Sequence, residues 1–356
     1  MAVVICGSAS SEKKHERRRS GGVSMKIAAV AACLALGIGG TFLFLGIRDY
    51  NAMMDSRDSW AEISMIASGS KGEAAGVADS PEGFIEVPLD FGPDAGYDFS
   101  AESLQAVYKR DDYLYKAIDL PAIQAMNSYV SGYIYIPGTP IDYPVMKEIT
   151  PGDYFYIDHN IYNKADKYGS IFELCDEERG PDSPITWIFG HHMSSGSMFS
   201  GLYNFLEPDF AGTNVYLYRE NYRSEYKPFG ACIVDMHDDA YAFGEYKPGS
   251  PEYSALLQRL KSMNRLPDNN SEWPGPDSDI LILSTCYGGS GTRERMILLC
   301  TEQRRAVAPD YYRTLQEAQE YGGSQNAVNA DDVPGYLGVE RDENLSGVPD
   351  YIADGG

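Results

Sequence analysis

Positive charge is scarce in this chain: 29 Lys and Arg stand against 52 Asp and Glu in 356 residues, a formal net charge of −23. Phosphate backbones are bound by clustered Lys and Arg, so a general nucleic-acid role is excluded. The acidity reads as solubility and a hydrated surface. Metal-ligand spacing is missing too. No HExxH or CxxC occurs that would let His159, in the stretch YIDHN, join His191, His192 and a cysteine around zinc, so neither a metal nor another cofactor is expected. Cysteine is sparse, at 6 residues. Cys6 and Cys33 precede or lie within an apolar N-terminal run, and a domain of this size buries enough core without disulfide staples. Cys175, Cys232 and Cys300 are therefore expected as small core residues.

Long apolar runs are scarce as well. The uncharged stretch from Ile27 to Ile47, IAAVAACLALGIGGTFLFLGI, spans about 30 Å as a helix, the thickness of a hydrocarbon core. Lys13, Lys14, Arg17, Arg18, Arg19 and Lys26 precede it, which predicts a cytoplasmic N-terminus and an exported C-terminal part. The competing reading is a cleaved signal peptide, whose apolar region is shorter, about 7 to 15 residues. The expected organisation is a basic cytoplasmic lead over 1–26, with Met25 as an alternative start, and a single-pass anchor over 27–47. A Gly-, Ala- and Ser-rich extracytoplasmic linker follows over 48–99, with a short helix candidate from Ser59 to Ile66. Over 100–127, Leu104, Val107, Tyr108, Tyr113, Tyr115 and Ile118 mix helical spacing with aromatics, which suggests helices packed on the outside of the next domain. The stretch 306–356 holds a helical candidate from Tyr311 to Tyr321 and then an acidic, Gly-rich sequence poor in large aliphatics, the composition of a disordered tail.

Between these, 128–305 reads as short strands with turn signals, a small closed all-β domain. Tyr133 to Ile136 is one strand, Pro137-Gly138 a turn and Tyr143 to Met146 the next; Asn214 to Tyr218 and Ala231 to Met236 continue the series. Ser197 to Phe205 reads as a helical turn. Pro251 to Leu266 is an amphipathic helix, with Leu256, Leu257, Leu260, Met263 and Leu266 recurring at three and four. His237, flanked by Asp235, Asp238 and Asp239, reads as a solvated strand end.

The chemistry gathers in DILILSTCYGGSGTRERMILLCT, from Asp279 to Thr301. Ile280 to Leu283 is a continuous apolar run suited to a strand covered on both faces. Gly288, Gly289 and Gly291 suit a loop, and Met296 to Leu299 starts a second apolar run. A hairpin would put the end of the first strand, Cys286, opposite Arg295. A guanidinium beside a thiol favours the nucleophilic thiolate and stabilises an oxyanion. Arg293, two positions away on the same face, is a rival. Upstream, Ile185 to Phe189 reads as a strand ending at Gly190, after which come His191 and His192. A sequence-distant histidine is the expected acid/base partner of a cysteine nucleophile. Strand neighbours point to opposite faces, so only one of the two can face Cys286.

These motifs resemble the class B sortases. LSTC at Leu283 to Cys286, an Arg leading the following strand at Arg295, IFGHHM at Ile188 to Met193 and GSMF at Gly196 to Phe199 are all similar to that family's motifs, as are YIYIPGTPIDYPVM, YFYIDHN and YGSIFEL upstream. The resemblance covers about Ser128 to Thr301. It implies a mainly β fold, a closed eight-stranded barrel with peripheral helices, behind an N-terminal transmembrane helix. It implies Cys286 as nucleophile, His191, by the Gly-His step, as acid/base and Arg295 as the transition-state cation, with Ser284 and Thr285 as candidate substrate contacts. The family usually carries Asn after the catalytic histidine, where this chain has His192. The helix from Pro251 resembles one that walls the substrate groove in that class; a helix that only caps the core fits the same pattern. The activity implied is a membrane-anchored cysteine transpeptidase. Its partners would be exported proteins with a C-terminal sorting motif and a peptidoglycan precursor amine, at the surface of a Gram-positive cell. The tail contains no second apolar span, which argues against the pilus-polymerising class. A secreted cysteine peptidase and a catalytically silent surface binding module are the alternatives.

Overall fold

The computed structural model describes residues 21–68, 84–87, 89, 112–150, 152, 154–174, 185–241, 247–267, 272–288, 291–308 and 311–314, with backbone alone for 21–40, 42 and 43. The chain divides into two compact units, Met1–Asp55 and Ser56–Gly356. Helix α1 runs from Gly21 to Ala67, so the backbone of the anchor expected over 27–47 is helical. Most of its side chains fall outside the described residues. Among the described residues, no helix is long and apolar enough to cross a membrane.

The second unit is a barrel of eight strands. In chain order these are β2 (Val130–Tyr135), β3 (Asp142–Lys147), β4 (Phe172–Leu174), β5 (Ile185–Phe189), β6 (Val215–Tyr218), β7 (Tyr222–Asp235), β8 (Ile280–Cys286) and β9 (Glu294–Val307). They are hydrogen-bonded in the order β9, β7, β6, β2, β3, β4, β5, β8, and β8 then pairs with β9 to close the ring. Closure leaves β8 covered on both sides, by β5 in parallel and β9 in antiparallel. Both faces of the strand are covered as well, since the consecutive residues Ile280, Leu281, Ile282 and Leu283 are all buried, and that is why its sequence is an unbroken apolar run.

The 48–99 segment, expected as linker, is partly built into the domain. The last turns of α1 bury Trp60, Ile63 and Ala67; the Trp60 ring meets Tyr143 edge-on at 6.0 Å, and Ser64 donates to Asp142 at 3.0 Å. A short strand, β1 (Ile85–Val87), pairs with β9 at Arg305, Ala306 and Val307, beyond the part of β9 that β8 occupies. An edge otherwise left open is thereby covered. The helical addition expected over 100–127 is described only from 112: a 3₁₀ turn at Tyr113–Tyr115 and the short helix α2 (Leu120–Gln124). Asp112 and Asp119 cap these two elements, accepting from the N–H groups of Leu114 and Ala122.

Helix α3 (Pro251–Ser262) is capped by Ser250, whose hydroxyl accepts from Tyr253 N–H, with Pro251 in the first turn. Its buried residues are Tyr253, Leu256, Leu257 and Leu260, and it is tied to β7: the Leu260 carbonyl accepts from Cys232 Sγ and the Ala231 carbonyl accepts from Arg265 N–H. Cys232 and Cys300 are free and buried; Cys175 lies outside the described residues.

One charged pair stands inside the barrel wall. Glu173 and Arg219, with 0% and 4% of their side chains exposed, form a two-pronged ion pair at 2.8 and 2.6 Å, and Arg219 also reaches Ser131. A glycine makes room for it. A Cβ on Gly132 would stand 2.7 Å from the Tyr218 carbonyl and 3.1 Å from Arg219 Cδ.

Candidate active site

Strands β5 and β8 are matched in parallel from Ile185 with Ile280 to Phe189 with Ser284. Parallel strands finish at the same end of a sheet. His191 and Cys286 each lie two positions beyond that last match, so the register brings them to one rim. On the other side of β8, the antiparallel match with β9 ends with Cys286 opposite Arg295, which puts the two side chains on one face with Cα atoms about 5 Å apart.

Gly190 releases the chain from β5. Its N–H donates to the Ser284 carbonyl at 3.1 Å, and a Cβ there would lie 2.4 Å from Ile171 Cδ1 and 2.8 Å from Phe199 Cγ. Only glycine passes through this gap. The His191 carbonyl then accepts from Phe199 N–H at 3.0 Å, folding the histidine loop back over the 3₁₀ segment Phe199–Leu206.

The imidazole of His191 has a fixed orientation. Its Nε2 is 2.7 Å from the carbonyl of Ile157, and because a carbonyl only accepts, Nε2 carries the proton and Nδ1 the lone pair. Burial holds its pKa below the ordinary histidine value of 6.5; the Ile157 hydrogen bond, Asp158 and Asp166 push the other way, and Arg295 adds to the lowering. The guanidinium that stands opposite Cys286 in the β8–β9 register therefore also acts on His191. Buried to 3% exposure, Arg295 donates through Nη1 to the carbonyls of Thr292 at 2.7 Å and Glu294 at 3.1 Å, while Nη2 lies 3.5 Å from Met236 Sδ. Arg293 is elsewhere: it is exposed and pairs with Asp235 at 3.0 Å.

His192 occupies a different place. Its ring stacks on Tyr203 at 4.2 Å, and burial lowers its pKa as well. Ser284 and Thr285 are both buried; Ser284 Oγ shares a hydrogen bond with Tyr241, and Thr285 Oγ1 has no hydrogen-bond partner among the described residues. His159 stacks on Phe155 and pairs with Asp158, and His237 is exposed beside Asp235. Among the described residues no group of three or more His, Cys, Asp or Glu is placed to hold a metal.

Sequence reasoning missed three contributors: the Ile157 carbonyl, Tyr203 and Tyr241. A backbone carbonyl leaves no side-chain signature. Its only trace is Gly169, at φ +56, where a Cβ would lie 2.2 Å from the Ile157 oxygen. Tyr241 is buried between the Trp187 ring at 5.4 Å and Ser284; burial pushes its hydroxyl up to about 12, against the opposing effects of Ser284 and Arg295.

The site thus brings together a thiol, a neutral imidazole with an available lone pair, and a buried cation, the requirements for acyl transfer through a thioester. Two curated proteins are similar to this chain in sequence: sortase B of Listeria monocytogenes is 29% identical over 168 residues, 47% of this chain and 67% of that protein. Sortase B of Staphylococcus aureus is 26% identical over 182 residues, 50% of this chain and 72% of that protein. These similarities support a sortase-type cysteine transpeptidase. No family model matches it. Among solved structures, the chain resembles Clostridium perfringens sortase B at 24% identity, with a TM-score of 0.45 over 51% of this chain and 98% of that one. It also resembles a Bacillus anthracis protein described as similar to sortase B, at 19% identity and a TM-score of 0.48 over 70% and 97% of the two chains.

Proposed function

We propose that this sortase cysteine transpeptidase cleaves a C-terminal sorting motif of exported proteins and joins them to a cell-wall peptidoglycan amine, from a position on the outer face of a membrane crossed by residues 27–47. Cys286 is the nucleophile. His191 Nδ1 takes the thiol proton as sulfur attacks the carbonyl carbon after the motif's threonine, and the same proton passes to the leaving amine as the C–N bond breaks. Arg295, with backbone N–H groups, stabilises the oxyanion in between. A thioester on Cys286 remains. An incoming amine, deprotonated by His191, attacks that thioester, the C–S bond breaks, and the new amide leaves with the thiol restored.

The observation that carries this reading is the double register at β8. Its end residue opposes Arg295 in one neighbour and stands level with His191 in the other. The acceptor is the sharpest test. With a library of threonine-containing sorting peptides, added amine should convert the released N-terminal fragment into the amine adduct. Cleavage to the free acid with no adduct at any amine concentration would make the protein a peptidase, and no cleavage with no labelling of Cys286 would make it a binding module.

A further inference from the structure

The turn that follows Cys286 carries glycine at Gly288 and Gly291. Gly288 has φ +93, the left-handed region that glycine enters freely, and the loop returns to β9 through Gly291. Among the described residues, the strand-side contacts of the turn are at Tyr287, whose N–H donates to the Glu294 carbonyl at 2.9 Å and whose carbonyl accepts from Thr292 Oγ1. The groups on either side are held from across the barrel mouth by one side chain. Tyr203 donates its hydroxyl hydrogen to the Cys286 carbonyl at 2.9 Å and accepts from Gly288 N–H at 3.0 Å.

The Tyr203 ring is also fixed. It belongs to the 3₁₀ segment Phe199–Leu206, whose Phe199, Leu202 and Phe205 are buried, and its faces meet His192 at 4.2 Å and Tyr287 at 5.2 Å. One phenol thereby ties the loop after β5, where His191 stands, to the loop after β8, where Cys286 stands. The Cys286 carbonyl and side chain branch from one Cα, so holding that carbonyl and the Gly288 N–H fixes the backbone from which Cβ and Sγ project.

We propose that Tyr203, with His192 stacked on it, is a positioning residue that sets the direction of the Cys286 thiol toward His191 and Arg295; this rests on the reading of Cys286 as nucleophile. The stacked ring gives His192 a role, that of a flat aromatic support, without asking it to be the base. The hydrogen bonds of Tyr203 go to backbone groups of the Cys286 turn.

The test is the pH profile of Cys286 alkylation by iodoacetamide, measured by peptide mapping on the full chain in detergent, with Cys286→Ala as the blank. Tyr203→Phe keeps the ring and removes both hydrogen bonds. Its profile should move to higher pH, and the rate of acyl-enzyme formation should fall about tenfold with KM unchanged, since sub-ångström misplacement is costly in an oriented reaction. His192→Ala should shift the profile in the same direction, and His192→Phe should restore it. A Tyr203→Phe profile that superimposes on the parent, with only a lower melting temperature, would reduce Tyr203 to packing and overturn the proposal. If the parent forms no acyl-enzyme with any peptide, the transpeptidase reading fails, while the alkylation profiles still decide the strap.

Discussion

His191 donates from Nε2 to the backbone carbonyl of Ile157 at 2.7 Å. A carbonyl here takes the place that a carboxylate or amide side chain holds in other nucleophile and histidine pairs: it fixes the tautomer and the ring plane, but brings no full charge to stabilise an imidazolium. Burial then outweighs the hydrogen bond and depresses the pKa, so the imidazole rests neutral at physiological pH.

The pH dependence has a definite sign. Between the lowered folded value and the ordinary 6.5, the unfolded chain binds a proton that the folded chain does not. Stability contributed by the neutral ring is full above about 6.5 and is lost as pH falls through that window. His191→Gln should flatten the pH dependence of urea unfolding below pH 6.5, and the acid limb of the parent's activity should lie below that same pH. An acid limb above it would mean that the imidazole charges more easily than its burial allows.

Asp158 and Arg295 act on that imidazole in opposite directions. Ring-proton titration by NMR should show the His191 pKa falling further in Asp158→Asn and rising in Arg295→Gln. The Asp158 effect should be the smaller, because its side chain is 67% exposed and screened. Shifts of the same sign in both variants would contradict the arrangement.

Gly169 supports the Ile157 carbonyl through its lack of a side chain. Gly169→Ala adds a Cβ 2.2 Å from that oxygen at a φ of +56, so the carbonyl must move away from His191. The expected stability cost is about 1–3 kcal/mol of backbone strain, with a loss of kcat larger than the melting shift explains. Unchanged kcat in a folded Gly169→Ala protein would show that the carbonyl is dispensable.

The pair of Glu173 and Arg219 should matter for stability alone. Arg219→Met leaves a carboxylate with 0% exposure unpaired, which should cost about 3–5 kcal/mol in chemical denaturation, whereas replacing both partners with Met should recover much of that loss. A single variant as stable as the parent would mean the carboxylate reaches water.

Much of this was legible in sequence because local pattern and local structure agree. The apolar run at Ile280, the glycines after Cys286 and the second run at Met296 specify the β8 and β9 hairpin, and with it the opposition of Cys286 and Arg295. The spacing of Leu256, Leu257 and Leu260, with Ser250 and Pro251 at the start, specifies α3. The partnership of β5 with β8 joins segments almost a hundred positions apart, and nothing in either strand names the other; the resemblance to sortases linked His191 to Cys286 without the strand pairing. The helix candidate from Ser59 to Ile66 is the end of α1, but its packing on the barrel and the strand β1 were hidden in a stretch whose Gly and Ser content reads as linker, because the triplet Ile85–Val87 is too short to form a period. The Ile157 carbonyl was hidden because any residue could supply it.

Replacing the cation tests the site's electrostatics separately. Arg295→Lys keeps the charge but loses the planar guanidinium whose Nη1 is anchored to the Thr292 and Glu294 carbonyls while Nη2 lies by Met236, and should lower kcat about 10²- to 10³-fold. Activity within a few-fold of the parent would demote the guanidinium geometry.

Intact-mass spectrometry of the full chain quenched during turnover of a sorting peptide tests the central claim most directly. The account predicts an adduct equal to the N-terminal peptide fragment, mapped to Cys286, removed by added amine and absent from Cys286→Ala. Peptide cleavage by Cys286→Ala at the parent's rate, or an adduct mapped to any other residue, would contradict it.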